Sequence, residues 1–397
     1  MLLVERYNGG AKWIGLAGLA GVLGLIATFI GFLTPARSDA YYSYLFSFAF
    51  FFAVAVGGLL FLMSLYATNA KWPTVIRRPV EAVAGSVPIF VLLFIPVLLG
   101  MGVLFRWTHP EANFTPLELH HFHGHKEKYL NVPFFLVRQV LYFGVMTVVS
   151  TVLIRWSKRI DVDGGYEYVA LSRRFSSGAI PIVGLALTWA SFDWLMSLTP
   201  FWYSTIFGAY YFAGGYLAAI AVVTLVCIWT RGNKHLFGYW LTAHHQHNLG
   251  KLLLAFVAFW GYMGFSQLML IWIANIPEEV PYFWVRLKTE WWPVTAFLIF
   301  GHFALPFAML LPRTTKLIPR YLGAVSAWLL LACAVDVYWL VMPALYPEGP
   351  RFSIFNLTAF VGVGGIATAF AIWRVRGRYM IPVRDPYLEE SLRYAQP

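Results

Sequence analysis

The sequence predicts an all-α protein that crosses a membrane about ten times. Hydrophobic residues make up 59% of the chain and charged residues only 12%, with 17 Trp and 34 Phe, far more than a soluble core of this length holds. The apolar residues fall in runs of roughly 20, the length that crosses a hydrocarbon core as a helix. Lys and Arg collect in alternate loops between those runs, as in a polytopic protein. The net charge of +11 is therefore a matter of topology, because the basic residues form neither a stripe nor an aromatic-interleaved platform for nucleic acid.

The first run, residues 13–33, has the length of a full span rather than of a signal-peptide core, and reads as a retained helix. Further spans are expected at 44–67, 83–105, 132–156, 179–198, 203–230, 252–275, 291–311, 321–345 and 354–373. Pro88, Pro96 and Pro306 lie inside spans and are expected to kink them, which a bundle tolerates where neighbours satisfy the freed carbonyls. Pro200 closes an apolar run, so the fifth and sixth spans are expected to meet in a very short turn. The second and sixth spans enter from the same side, which allows two four-helix bundles at 44–198 and 203–345, flanked by the first and last helices. No connection is longer than about 25 residues, too short for a separate domain, so 1–397 reads as one polytopic unit.

Of the 29 Lys and Arg, 21 fall on the N-terminus, the even-numbered loops and the C-terminal tail, seven on the opposite loops, and Arg138 lies within a span. By the positive-inside rule both termini are expected in the cytoplasm. Cys227 and Cys333 each lie in an apolar run, outside any C-x-x-C or C-x-x-C-H setting, which argues against a c-type haem, an iron–sulfur cluster or a disulfide framework. Gly57-Gly58, Gly214-Gly215 and the glycines at 362–365 lie inside spans, where close helix packing is their expected use.

The residues that could carry chemistry are the charges in apolar surroundings, since an intramembrane ionisable group needs a partner or a task. Arg138 and Asp193 lie about six residues from the outer ends of consecutive antiparallel spans, roughly 9 Å deep at the helical rise, so the two can pair. Such a pair is either a register-fixing ion pair or part of a proton or ligand path. Asp336, Ser266 and Gln267 fall in the same outer half and are candidates for a shared polar pocket. Asp336 has no evident partner in the sequence and is either a neutral proton carrier or a hydrogen-bonded carboxyl. His302 sits near the middle of the eighth span. Without a second histidine at matched depth it cannot hold a bis-histidine b-type haem, which leaves a packing role or a proton step. The outer-loop run HHFHGH at 120–125 offers His121, His123 and His125 as weak metal ligands against a solvated or partner-facing loop. His244, His245 and His247 on the inner side read the same way, with lipid headgroups as a further partner.

The stretch 191–215, SFDWLMSLTPFWYSTIFGAYYFAGG, resembles the signature of the ActF family, the smaller NrfD-like membrane subunits of bacterial alternative complex III. Further blocks are similar: Tyr129-Leu130-Asn131 with Pro133-Phe134-Phe135 and Arg138, then Leu249-Gly250-Lys251, then SQLMLIWIANIPEE at 266–279. Asn248 stands where the family pattern leads one to expect an acid, so no carboxylate role carries over there. The resemblance implies a subunit of a quinol:electron-acceptor oxidoreductase in the bacterial cytoplasmic membrane. It implies haem c and iron–sulfur clusters in partner subunits, menaquinol or another quinol in the complex, and no redox cofactor bound by this chain. The implied partners are a larger NrfD-like subunit, multihaem and monohaem cytochrome c subunits, an iron–sulfur subunit, other small membrane subunits and lipids. The implied role is scaffold and proton pathway, with Arg138, Asp193, His302 and Asp336 as the candidates. A quinone-binding catalytic subunit, or a free-standing secondary transporter or proton channel, are the alternatives.

Overall fold

The structure is a computed structural model and describes residues 6–395. Ten helices are long and apolar enough to cross a membrane. They are α1 (Ala11–Phe32), α2 (Arg37–Ala67), α3 (Trp72–Leu99), α4 (Val132–Asp163), α5 (Glu167–Trp194), α6 (Phe207–Trp229), α7 (Ala243–Ala274), α8 (Trp292–Leu310), α9 (Pro319–Val341) and α10 (Ile354–Val375). No strand occurs among the described residues, apart from an isolated bridge between Arg6 and Tyr379 that joins the two ends of the chain. An even number of spans puts both described ends on one face, called here the terminal face.

α2 is the axis of the molecule. Its most apolar window is 94% buried, against 22% for α1, and it packs on α1, α3, α5, α6, α9 and α10. A helix apolar all round belongs in such a position. α6 packs along α2 and also meets α7 and α9, so α2 and α6 form the seam between α3, α4 and α5 on one side and α7, α8 and α9 on the other. Glycine makes that seam close: Gly57 of α2 faces the backbone of Gly215 on α6, where any side chain would collide. α1 and α10 run against each other in the same manner. A Cβ on Gly24 would lie 2.6 Å from both the Gly362 nitrogen and the Thr358 oxygen, and Thr28 and Thr358 share a hydrogen bond of 2.9 Å across the contact. Gly24→Leu is expected to part this helix pair and lower stability by about 1–3 kcal/mol. Loss of a disulfide engineered between positions 28 and 358 would report it.

Several helices are longer or earlier than their apolar runs. α5 begins at Glu167, without a side-chain cap, and α7 at Ala243, so both helices continue past the hydrocarbon boundary. Thr242 forms a capping box with His245, which places His244, His245 and His247 in the first turns of α7 rather than in a loop. α3 begins about ten residues before its expected start and is broken at Gly85 to Pro88 and again near Pro96. α8 absorbs Pro306 in a π-turn, Leu298–Ala304, immediately before it. The link at Pro200 is longer than the very short turn expected: α5 ends at Trp194, Met196–Leu198 forms one 3₁₀ turn, and α6 starts only at Phe207.

At the terminal face the chain behind α10 is tied to α3 and α4 by buried charges. Glu81 lies 2.7 Å from Arg78 and 2.7 Å from Arg378, and accepts a 2.5 Å bond from Ser157. The Arg378 contact is a close ion pair that misses hydrogen-bond geometry. Arg78 also reaches Asp161 at 2.5 Å and the Tyr379 carbonyl at 3.0 Å. Arg77 pairs with Asp385, and Ser391 donates to the Trp72 carbonyl at 2.6 Å. Asn248 joins this face, donating to Tyr394 at 3.1 Å.

Candidate functional site

Two buried polar clusters lie in the half of the protein remote from the termini. The first is built on α4 and α5. Asn131 caps α4 by accepting from the Phe134 amide, and Pro133 occupies the first turn, so Arg138 emerges in the second turn and points at α5. Its Nε donates to Asp193 Oδ2 at 2.8 Å and its Nη2 to Oδ1 at 2.9 Å, a bidentate pair, while Nη1 donates to the Tyr129 carbonyl at 2.9 Å. Asp193 is fully buried and also accepts from Gln139 at 3.1 Å and Tyr142 at 3.1 Å. A carboxylate has about four lone-pair sites, and four donors reach this one, three on Oδ2 and one on Oδ1. Gln139 is in turn fixed by Trp194, which donates to its Oε1 at 2.7 Å. The guanidinium lies 4.0 Å from the Tyr129 ring and 4.4 Å from Phe134. A cavity of about 200 Å³ lined by His125, Lys126, Tyr129, Ser197, Trp202 and Tyr203 lies next to the pair and shares Tyr129 with it.

The second cluster draws on four helices. Asp336 of α9 is buried and accepts from Tyr210 of α6 through a short hydrogen bond and from Trp260 of α7 at 3.0 Å. The other face of Trp260 lies on His302, with ring centroids 3.8 Å apart. His302 Nε2 is 3.5 Å from Cys333 Sγ, and Cys333 lies 3.7 Å from the Gly214 carbonyl. His302 is fully buried, and its Nδ1 has no hydrogen-bond partner among the described residues. Gly214 lies against this cluster, where a Cβ would come into ordinary van der Waals contact with Asp336 Oδ2 at 3.5 Å and with Trp260. The π-turn around His302 is braced by Trp328, which donates to the Gly301 carbonyl at 2.7 Å.

The structure thus brings Arg138 to Asp193 and, through Trp260, Asp336 to His302. It does not place the two clusters in hydrogen-bond contact. Ser266 and Gln267 are buried on α7 without a bond to Asp336, and Gln267 Nε2 has no partner among the described residues. Reasoning from sequence missed Gln139, Tyr142, Tyr210 and Trp260, which are ordinary residues of an aromatic helix until their neighbours are known. It also missed Arg286. That residue belongs to a short helix, Val280–Lys288, between α7 and α8, and is buried with its guanidinium 3.6 Å from the Tyr282 ring and 4.8 Å from Trp339. Among the described residues its hydrogen bonds go to the carbonyls of Tyr282 at 2.9 Å and Leu340 at 3.4 Å.

In the loop between α3 and α4, His121, His123 and His125 do not converge, and no group of three His, Cys, Asp or Glu side chains among the described residues is arranged to hold a metal. His123 is taken instead by two carboxylates, with Nδ1 2.9 Å from Glu127 and Nε2 3.3 Å from Glu111. The Glu127 hydrogen bond, and then Glu111, hold the imidazole above its usual pKa. The protonated form is therefore the one the folded loop prefers. Its contribution is complete below about pH 6.5, the ordinary histidine value, and is lost as pH rises through the raised folded value. Amide hydrogen exchange over residues 110–127, corrected for intrinsic rates, is expected to quicken between pH 5.5 and 8 in the native protein. The same pH step should leave a His123→Ala variant unchanged.

Comparison with family models and with curated proteins returns no match for this chain.

Proposed function

We propose that this chain is a membrane subunit of a quinol:electron-acceptor oxidoreductase of the alternative complex III type, related to ActF. In this reading it carries no redox cofactor, lies in the bacterial cytoplasmic membrane with both termini inside, and serves as scaffold and proton pathway. The observation that carries the reading is the cluster of Tyr210, Asp336, Trp260 and His302, where a carboxyl and an imidazole are buried within one side chain of each other among four helices. A buried carboxyl with only two donors keeps lone pairs for a proton, and the unpartnered His302 Nδ1 is a second place to put one. The seam at α2 and α6, with α3 to α5 and α7 to α9 on its two sides, accords with the NrfD-like arrangement of two four-helix groups. Asp193, by contrast, accepts from four donors and has Arg138 as a bidentate counterion, and we assign the pair to holding α4 on α5.

Purification through a tag on this chain in mild detergent tests the assignment to a complex. Multihaem and monohaem cytochrome c, an iron–sulfur subunit and a larger NrfD-like subunit are expected to come with it, giving haem bands in the visible spectrum. A colourless, solitary protein that moves protons alone in liposomes would establish the channel or transporter reading instead. Within the complex, Asp336→Asn keeps the shape of the side chain and removes its proton chemistry. It is expected to leave assembly intact and to depress proton uptake coupled to quinol oxidation by about 100-fold.

A further inference from the structure

A crevice of about 1160 Å³ opens between the α1 and α10 pair and the rest of the protein. Its wall is apolar, formed by residues such as Leu16, Phe50, Val54, Val222, Leu330 and Ile372. A space of this size exceeds the usual range of about 300–1,000 Å³ for small-ligand pockets. An apolar wall does not hold ordered water, and interiors do not leave such volumes empty.

Its depth says what fills it. On α10 the lining runs from Phe360, six residues from its remote end, to Val375 at the terminal face, on the order of 22 Å at the helical rise. α1 contributes only Trp13, Leu16 and Ala17 from its first turns, and α2 contributes only its middle, Phe50 to Ala55. The crevice therefore reaches about 22 Å in from the terminal face, about half of the 40–45 Å of a whole bilayer with its headgroup regions, and its lining stops short of the remote face. A partner's membrane helix needs roughly 30 Å of hydrocarbon depth and does not fit.

Its mouth says which lipid. At the terminal face the lining turns polar at Tyr7, Thr230 and Asn233, and Trp13 and Trp229 meet edge to face at 5.5 Å. Both indoles are exposed, as aromatic residues at a membrane interface are. The three segments that form the mouth, residues 6–13, 229–240 and 371–380, carry Arg6, Lys12, Arg231, Lys234, Arg374, Arg376 and Arg378 and not one acid. Arg231 is engaged by Gln246, and Arg378 by Glu81 and Asp161. Lys12, Lys234, Arg374 and Arg376 pair with no carboxylate among the described residues, and the Arg374 Nε is buried without a hydrogen-bond partner. Cations gathered at the mouth of a groove between membrane helices are a site for a phosphate headgroup.

We propose that the crevice is a binding site for one anionic phospholipid of the leaflet at the terminal face, its acyl chains along α10 and its phosphate among Lys12, Lys234, Arg374 and Arg376. Native mass spectrometry of the full chain in mild detergent, with dioleoyl phosphatidylglycerol or dioleoyl phosphatidylcholine added, tests this. One phosphatidylglycerol is expected to be retained, with roughly tenfold preference over phosphatidylcholine. Ala371→Trp, which puts a large ring into the crevice, is expected to abolish retention of both lipids. Arg374→Gln with Arg376→Gln leaves the crevice open and is expected to erase the headgroup preference alone. Equal retention of the two lipids by the native chain overturns the proposal. So does undiminished retention in Ala371→Trp at an unchanged melting temperature, or displacement of phosphatidylglycerol by menaquinone. Where Ala371→Trp fails to fold, the arginine pair decides: a preference that survives it overturns the site.

Discussion

Glu81→Leu is expected to destabilise the protein by about 3–5 kcal/mol, the cost of removing one partner from a buried ionic group. Glu81 is the carboxylate shared by Arg78 and Arg378, and its side chain and that of Arg78 are wholly buried. With Leu in place, two guanidinium groups share Asp161 alone, at 2.5 Å and 3.7 Å, and Ser157 loses its acceptor. The damage should be local first. Arg378 belongs to the segment after α10, so the C-terminal residues that fold back on α3 are expected to detach before the bundle melts. Limited proteolysis near Arg384, followed alongside thermal unfolding in detergent, checks both parts. Cleavage and melting like those of the native protein would show that the network contributes no net stability. Glu81→Gln should lose less, because the amide oxygen still accepts a hydrogen bond from Arg78 and only the charge goes.

How legible this molecule is from its sequence depends on the distance over which each feature is encoded. The spans are local: roughly 20 apolar residues make a membrane helix whatever surrounds them, so all ten helices were readable to within their ends. The ends were not, since caps such as Thr242 with His245 and breaks such as Gly85 to Pro88 depend on polar contacts beyond the apolar run. Arg138 with Asp193 was readable because consecutive antiparallel helices constrain depth, and equal depth in neighbours nearly amounts to contact. Asp336 with His302 was not. They lie on adjacent helices, but their link runs through Trp260 and the partners come from α6 and α7, and helix order in space is set by packing that no single segment encodes. Arg286 shows the opposite failure: counted among loop charges, it is buried beneath Tyr282 and Trp339.

The pair on α4 and α5 separates holding the fold from moving a proton. Arg138→Met or Asp193→Leu alone is expected to cost about 3–5 kcal/mol, because each leaves a buried charge without its counterion. The double variant removes both charges and should recover most of that loss. Recovery stays incomplete, because Gln139 and Tyr142 lose their acceptor, about 1–3 kcal/mol for each buried donor left unsatisfied. The coupling energy from the four proteins, read from unfolding in detergent, is then several times that of a surface ion pair. The same double variant decides function. With Arg138 as a bidentate counterion and three donors on Oδ2, a proton on Asp193 would cost the ion pair, so a variant that folds without the pair should still support proton uptake at close to the native rate. A stable double variant that no longer takes up protons would move Asp193 from the scaffold into the pathway. The route would then run from the cavity beneath Lys126 and Tyr129, through Arg138, and into the membrane on the α4 side of the seam.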